Sequence, residues 1–452
     1  MKRLAHFVLA GVFLAAPALL HAMFAMPESA PVDRLIKNTE AYLAKNPDKA
    51  EAHYTLGRIH YLAFILQAET IPAFRGREGE LPSPVSDMFL GRPFDEARRQ
   101  HAEELAREEF GLKDGVPKKA DERQRYLQAV TKHREELEKA GWRPQKVESA
   151  QLIEHADKAA AAFHKAIELD RTNGLYPLGL GSLLEQFADW NDDAKTALLP
   201  RALAGDLRAN ARGQYFAAWS RANPGDAKAK ALDVMGLGGF ASYEAGQRFL
   251  KLAGETAKTL PANESDAIPQ VKAAIAKMEK LPMGAITPLV VALQPHAHLD
   301  ELLAPERTVE FDLRGFGVAE RWPWVKADAG LLVWDPQDRR AIASGRQLFG
   351  NYTFQIFWRT GYDALRALDD DGDGQLTGAE LAGLALWFDR DGDARSTREE
   401  VAPLATFGIR ALAVDAPAFD GPHPMNPAGV TFTDGRALPT WDWIAEPVRV
   451  AP

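Results

Sequence analysis

Two hydrophobic textures divide the chain near residue 283. Before that point apolar residues recur every three or four positions, the period of a helix with one buried face. The period predicts helices in AYLAKNPDKAEAHYTLGRIHYLAF, AAAAFHKAIELDRTNGLYPLGLGSLLEQ, EAGQRFLKLAGETAKTL and SDAIPQVKAAIAKMEKL, the last closed near Pro282. From Gly284 the apolar runs become short and β-like: AITPLVVALQ, RTVEFDL, GLLVWD. GVTFTDGRALPTWDWI predicts a hairpin turning at Asp434-Gly435. The pattern therefore predicts a mainly α protein. A helical domain covers 27–282, a linker with short strands 283–310, and a smaller α+β domain 311–452.

At the N-terminus, Lys2 and Arg3 precede an apolar run from Leu4 to Leu20, with small residues at Ala22 and Ala25. This predicts a signal peptide over 1–25, cut after Ala22 or Ala25, and a periplasmic or secreted protein. No later apolar run is long enough for a membrane span once the signal is removed. The net charge of −9 argues against a nucleic-acid partner. The absence of cysteine excludes disulfides, thiolate catalysis and cysteine-type zinc sites.

Charge changes the picture most at residues 369–380, DDDGDGQLTGAE. Asp369, Asp371, Asp373, Gly374 and Glu380 stand at positions 1, 3, 5, 6 and 12 of an EF-hand calcium loop. Ca²⁺ is a hard ion that takes six to eight oxygens, so a short chain must wrap it closely. Alternate carboxylates reach inward, Gln375 offers its carbonyl, Thr377 an oxygen directly or through water, and Glu380 two oxygens. With Asp370 the loop holds five carboxylates and no basic residue, so without a cation its charges mainly repel. A second loop follows at 389–400. Asp389, Asp391, Asp393 and Glu400 take positions 1, 3, 5 and 12, with Arg395 at 7 and Thr397 at 9. Ala394 replaces the turn glycine, and Arg390, Arg395 and Arg398 bring the net charge to −2 against −5 for the first loop. The second loop is expected to be the weaker of the pair.

Only LAGLALWF separates the two loops, which suggests a buried helix of about two turns between them. Leu376 and Ser396, both at position 8, would then lie side by side. The approach to the first loop, TGYDALRAL, would place Tyr362, Leu365 and Leu368 on one helix face.

Two resemblances add to this. The N-terminal helices resemble tetratricopeptide repeats: Pro47, Ala50, Leu56 and Gly57 match one junction, and Ala159, Phe163, Ala166, Leu180 and Gly181 match another. His53 and His60 depart from the pattern, and an insertion at about 66–147 splits the first repeat. The resemblance implies stacked helices with a surface for a protein or peptide partner. The segment 309–415 resembles a region of secreted bacterial proteins in which EF-hand-like loops recur irregularly. It is carried by FDLRGFG at 311–317, GLLVWD at 330–335, GRQLFG at 345–350, the two loops, and VAPLATFGIRAL. Arg314 and Phe316 replace acidic positions after Asp312, and Gln337, Arg339 and Gln347 do so after Asp335. Both of these earlier loops are expected to keep the turn without the ion.

Other chemistry is sparse. His296, His298, Asp300 and Glu301 have the residue types of a transition-metal site, but a polar connector is the expected reading. Trp441 and Trp443 are expected in a core rather than on an exposed sugar-binding strip. No nucleophile, zinc-protease, phosphate-loop or dinucleotide motif occurs. The expectation is a calcium-binding protein rather than an enzyme, the alternative being an extracytoplasmic hydrolase braced by calcium.

Overall fold

The computed structural model describes residues 29–72, 93–112, 117, 119–139, 149–194, 205–222, 237–278, 286–315 and 319–448. The predicted signal peptide, the Pro/Gly-rich stretch of the insertion, Pro224, Pro282 and Phe316 lie outside the described residues.

The chain opens with β1 (Ser29–Pro31), which pairs antiparallel with β2 (Thr70–Pro72) and ties together the ends of the first helix pair. Helix α1 (Val32–Lys45) buries Val32, Leu35, Asn38, Thr39 and Leu43 along one stripe. Helix α2 (Ala50–Leu66) is buried on nearly all sides, because it packs on α1, on α5 (Ser149–Leu169) and on α6 (Leu175–Ala194). Gly57 lets α2 approach α5: a Cβ there would strike the Phe163 ring. Then α6 packs on α7 (Leu207–Ala222), α7 on α8 (Leu237–Glu255), and α8 on α9 (Ala262–Met278). Between α2 and α5 the insertion forms two helices, α3 (Pro93–Glu109) and α4 (Ala120–Lys139), with a small core of their own around Ala106, Tyr126 and Ala129. Among the described residues no helix is long and apolar enough to cross a membrane.

From Ile286 the protein is mostly strands. A nine-stranded antiparallel sheet runs in the order β7–β10–β12–β13–β3–β6–β8–β9, with β11 paired to β12. Its strands are β3 (Leu289–Ala292), β6 (Ala329–Trp334), β7 (Gln375–Thr377), β8 (Leu384–Trp387), β9 (Val401–Pro403), β10 (Ile409–Ala413), β11 (Ala418–Asp420), β12 (His423–Phe432) and β13 (Ala437–Asp442). A separate ribbon joins β4 (Leu303–Phe311) to β5 (Glu320–Val325). The hairpin predicted at Asp434-Gly435 joins β12 to β13.

In 283–310, expected as a linker with short strands, β3 lies mid-sheet between β13 and β6 with all four residues buried. Two expectations are corrected. The protein is not mainly α with EF-hand helices at its C-terminus; helices fill the N-terminal region and a curled sheet the C-terminal one. And LAGLALWF does not form the expected α-helix; only Leu381 belongs to a 3-10 turn. Its Leu384–Trp387 is strand β8, fully buried between β6 and β9. A continuous apolar run of that length fits a strand covered on both faces as well as it fits a buried helix, and the ladder decides. Trp322, Trp324, Trp387 and Trp441 lie fully inside this region, and Trp443 is also buried.

Candidate metal centre

The first acidic loop begins where the short helix α10 (Gly361–Arg366) ends. Tyr362, Leu365 and Leu368 are buried as the helix face predicted. Inside the loop the carboxylates collect backbone N–H groups. Asp369 Oδ1 accepts from Gly372 N at 2.8 Å and its Oδ2 from Gly374 N at 3.1 Å. Glu380 Oε1 accepts from Asp370 N at 2.6 Å, and its Oε2 from Thr377 N at 2.8 Å. Asp371 and Asp373 each accept from the N–H two residues on. These bonds hold Asp369, Asp371 and Asp373 with one oxygen each within 4.8 Å of the others. Gln375 and Thr377 stand on β7, beside that triad in sequence.

The second loop, between β8 and β9, repeats the frame. Asp389 accepts from Gly392 N, Asp393 N and Ala394 N. Glu400 Oε1 accepts from Arg390 N, and its Oε2 from Thr397 N. Asp393 accepts from Arg395 N at 2.7 Å. Asp389, Asp391 and Asp393 form the second triad, again with oxygens within 4.8 Å. One bond has no counterpart in the first loop: the Trp324 indole N–H donates to Asp389 Oδ2 at 2.5 Å. Ala394 adopts the left-handed conformation of a turn glycine, with φ of 58°, where an L side chain costs about 1 kcal/mol or more.

In both loops the carboxylate at position 1 has its pKa raised. Burial is the largest cause for Asp369 and for Asp389, and it outweighs the backbone N–H groups that oppose it. A buried carboxylate whose charged form is disfavoured gains most from a cation brought alongside. The donor sets are all oxygen, the chemistry of calcium or magnesium rather than of softer metals.

The two earlier segments keep the frame and lose the charge. Asp335 accepts from Arg339 N and Arg340 N, and Gln347 Oε1 accepts from Ala343 N where the two acidic loops use a glutamate. The fourth position has a positive φ in all four loops: 71° at Gly315, 49° at Asp338, 70° at Gly372 and 74° at Gly392. Arg314, at an acidic position of the first segment, is instead ion-paired with Glu320. Arg314 and Arg339 stand at the third and fifth positions, where the two acidic loops have aspartates.

The expected pairing of the two acidic loops does not occur. Leu376 pairs with Leu412 of β10, and Ser396 bonds to the backbone of Ile342 in the altered loop after β6. The loops therefore sit at the two ends of the strand order, because each takes its neighbour from a crossover rather than from the next loop in sequence. The histidine cluster is also divided. His296 faces Glu301, whereas His298 faces Asp420.

Residues from outside the loops complete the first site, and their sequence context resembles any solvated helix face. Arg34, Lys37, Asn38 and Lys45 of α1 bond to the outer side of residues 367–372.

Comparison with known proteins places part of this region. A family model for the SPM domain matches residues 300–437. That span holds both acidic loops and the two segments after Asp312 and Asp335, but it leaves out β3, which lies mid-sheet between β13 and β6. The chain is also similar to the iron-regulated protein FrpA of Neisseria meningitidis serogroup C, 37% identical over 107 residues. The similarity covers 23% of this chain and 10% of that protein.

Proposed function

We propose that the C-terminal region is a calcium-binding module in which the ion has a structural role. The observation that carries this reading is the repeated frame: two separate loops, each with three aspartate oxygens gathered within 4.8 Å and a buried glutamate closing the ring. Asp369, Asp371, Asp373 and Glu380, with the carbonyl of Gln375 and an oxygen of Thr377, form the tighter site. Asp389, Asp391, Asp393 and Glu400, with Arg395 through its carbonyl and Thr397, form the weaker one. Its three arginines and the strain at Ala394 reduce its affinity. In this reading the helices form tetratricopeptide-like repeats outside the cytoplasm and offer a surface to a protein or peptide. What supports that part is the close helix stacking at Gly57 and Gly181, where a Cβ would strike Phe163 and Tyr215. Calorimetric titration with Ca²⁺ tests the central claim. One or two sites are expected, with Asp369→Asn removing the tighter; no heat at several millimolar Ca²⁺ refutes it.

A further inference from the structure

We infer that the first site is built from both halves of the chain, with Asn38 of α1 as its positioning residue, so that calcium binding and the seating of the helical region strengthen each other. The inference rests on the reading of 369–380 as a calcium site.

The geometry begins just past the end of α10, a helix of under two turns, at the two carbonyls that follow it. Asn38 Nδ2 donates to Ala367 O at 2.9 Å, and Arg34 Nη2 to Leu368 O at 2.8 Å. Further along, Lys37 Nζ reaches Asp370 O at 3.3 Å and Lys45 Nζ reaches Gly372 O at 2.9 Å. Asp370, the one loop carboxylate with no place among the ligands, turns outward. Its Oδ1 accepts from Arg34 Nε and from Asn38 Nδ2, both at 2.8 Å. Burial raises its pKa, but these two donors outweigh that and hold it below the ordinary carboxylate range.

Two peptide groups are thereby held at both ends. The 370–371 peptide gives its carbonyl to Lys37 and its N–H to Glu380 Oε1. The 372–373 peptide gives its carbonyl to Lys45 and its N–H to Asp371 Oδ1. Both accepting carboxylates are proposed ligands, so α1 sets the planes that orient them. This is the role of an outer coordination shell, whose loss typically weakens metal binding 10- to 100-fold. The three cations repel a bound divalent ion, but Lys37 and Lys45 are exposed, where salt screens them, and Arg34 is half-buried. Asn38 holds Asp370 by its side chain, and the Asp370 N–H donates to Glu380 Oε1 at 2.6 Å; being neutral and buried, Asn38 contributes orientation alone. Reciprocity then requires that calcium stabilise the seating of α1 by the factor with which α1 tightens calcium.

The test uses the full chain. Calcium titration of wild type and Asn38→Ala should show the tighter site weakened by about tenfold in the variant. Hydrogen exchange of the wild type should slow in α1 as well as in residues 369–380 when calcium is added. Asp369→Asn should abolish the slowing in α1. The exchange arm decides the matter if Asn38→Ala does not fold. Calcium binding that protects the loop, with α1 exchange unchanged, overturns the inference and leaves the calcium reading standing. No binding to wild type overturns both.

Discussion

Withdrawing calcium should lower the melting temperature of the sheet region by an amount the loop geometry allows to be worked out. The first loop presents four inward carboxylates on a backbone already held by its own N–H groups, so little ordering accompanies binding. For a dissociation constant of about 10⁻⁴ M, typical of extracytoplasmic sites, 1 mM Ca²⁺ adds roughly 1.4 kcal/mol. In a region of this size that corresponds to a shift of about 3–6 °C. Differential scanning calorimetry in 1 mM Ca²⁺ and in chelator measures it. Asp369→Asn is the control. It keeps the shape, relieves the burial of a charge, and gives up one backbone hydrogen bond worth about 1 kcal/mol. Its stability in chelator should thus stay near that of wild type, while most of the calcium-dependent shift disappears. Equal melts with and without calcium, or an undiminished shift in Asp369→Asn, would refute the reasoning.

Other consequences follow from single contacts. The pair of buried His60 and half-buried His155, bonded Nδ1 to Nδ1 at 2.8 Å, joins α2 to α5. Burial first, then His155 and Lys158, push the His60 pKa down to about 3. The unfolded chain then takes up protons before the folded one, so this stability is complete above about pH 6.5 and is lost as pH falls toward 3. Urea midpoints of the helical region should fall more steeply from pH 7 to 4.5 in wild type than in a His60→Gln/His155→Gln variant; equal slopes would count against the pair. A Cβ at Gly345 would run into the Leu313 carbonyl, where the segments that follow Asp312 and Asp335 meet. Gly345→Ala should destabilise the sheet region by at least about 2 kcal/mol in chemical denaturation. Trp324 touches the second loop through Asp389, so calcium should alter tryptophan emission in wild type, and Trp324→Phe should lose the component that saturates last.

Much of the site was legible in sequence, because calcium chemistry fixes residue types at fixed intervals along one short segment. Asp369, Asp371 and Asp373, and likewise Asp389, Asp391 and Asp393, gather in their loops, and the loops after Asp312 and Asp335 have the same left-handed fourth position. Partners set by the tertiary fold were not legible. Leu376 meets Leu412 and Ser396 meets Ile342 because sheet order reverses the chain several times between them. The run LAGLALWF carries no polar residue to reveal a period, so its strand emerges only from neighbours on both sides. Asn38 and its basic companions look like an ordinary wet helix face. Their role depends on the chain returning some 330 residues later.

Two edge strands of the sheet, β7 and β9 at the ends of its main path, have only three residues each. An open sheet invites another molecule to add a strand, and short edges beside clustered charge discourage it. Here β7 lies within the loop of charge −5 and β9 directly follows the loop of charge −2. The acidic loops thus guard the molecule against edge-to-edge self-association. On the proposed calcium reading, divalent cations that brace the fold would also neutralise that guard, so solubility and thermal stability should respond to calcium in opposite directions.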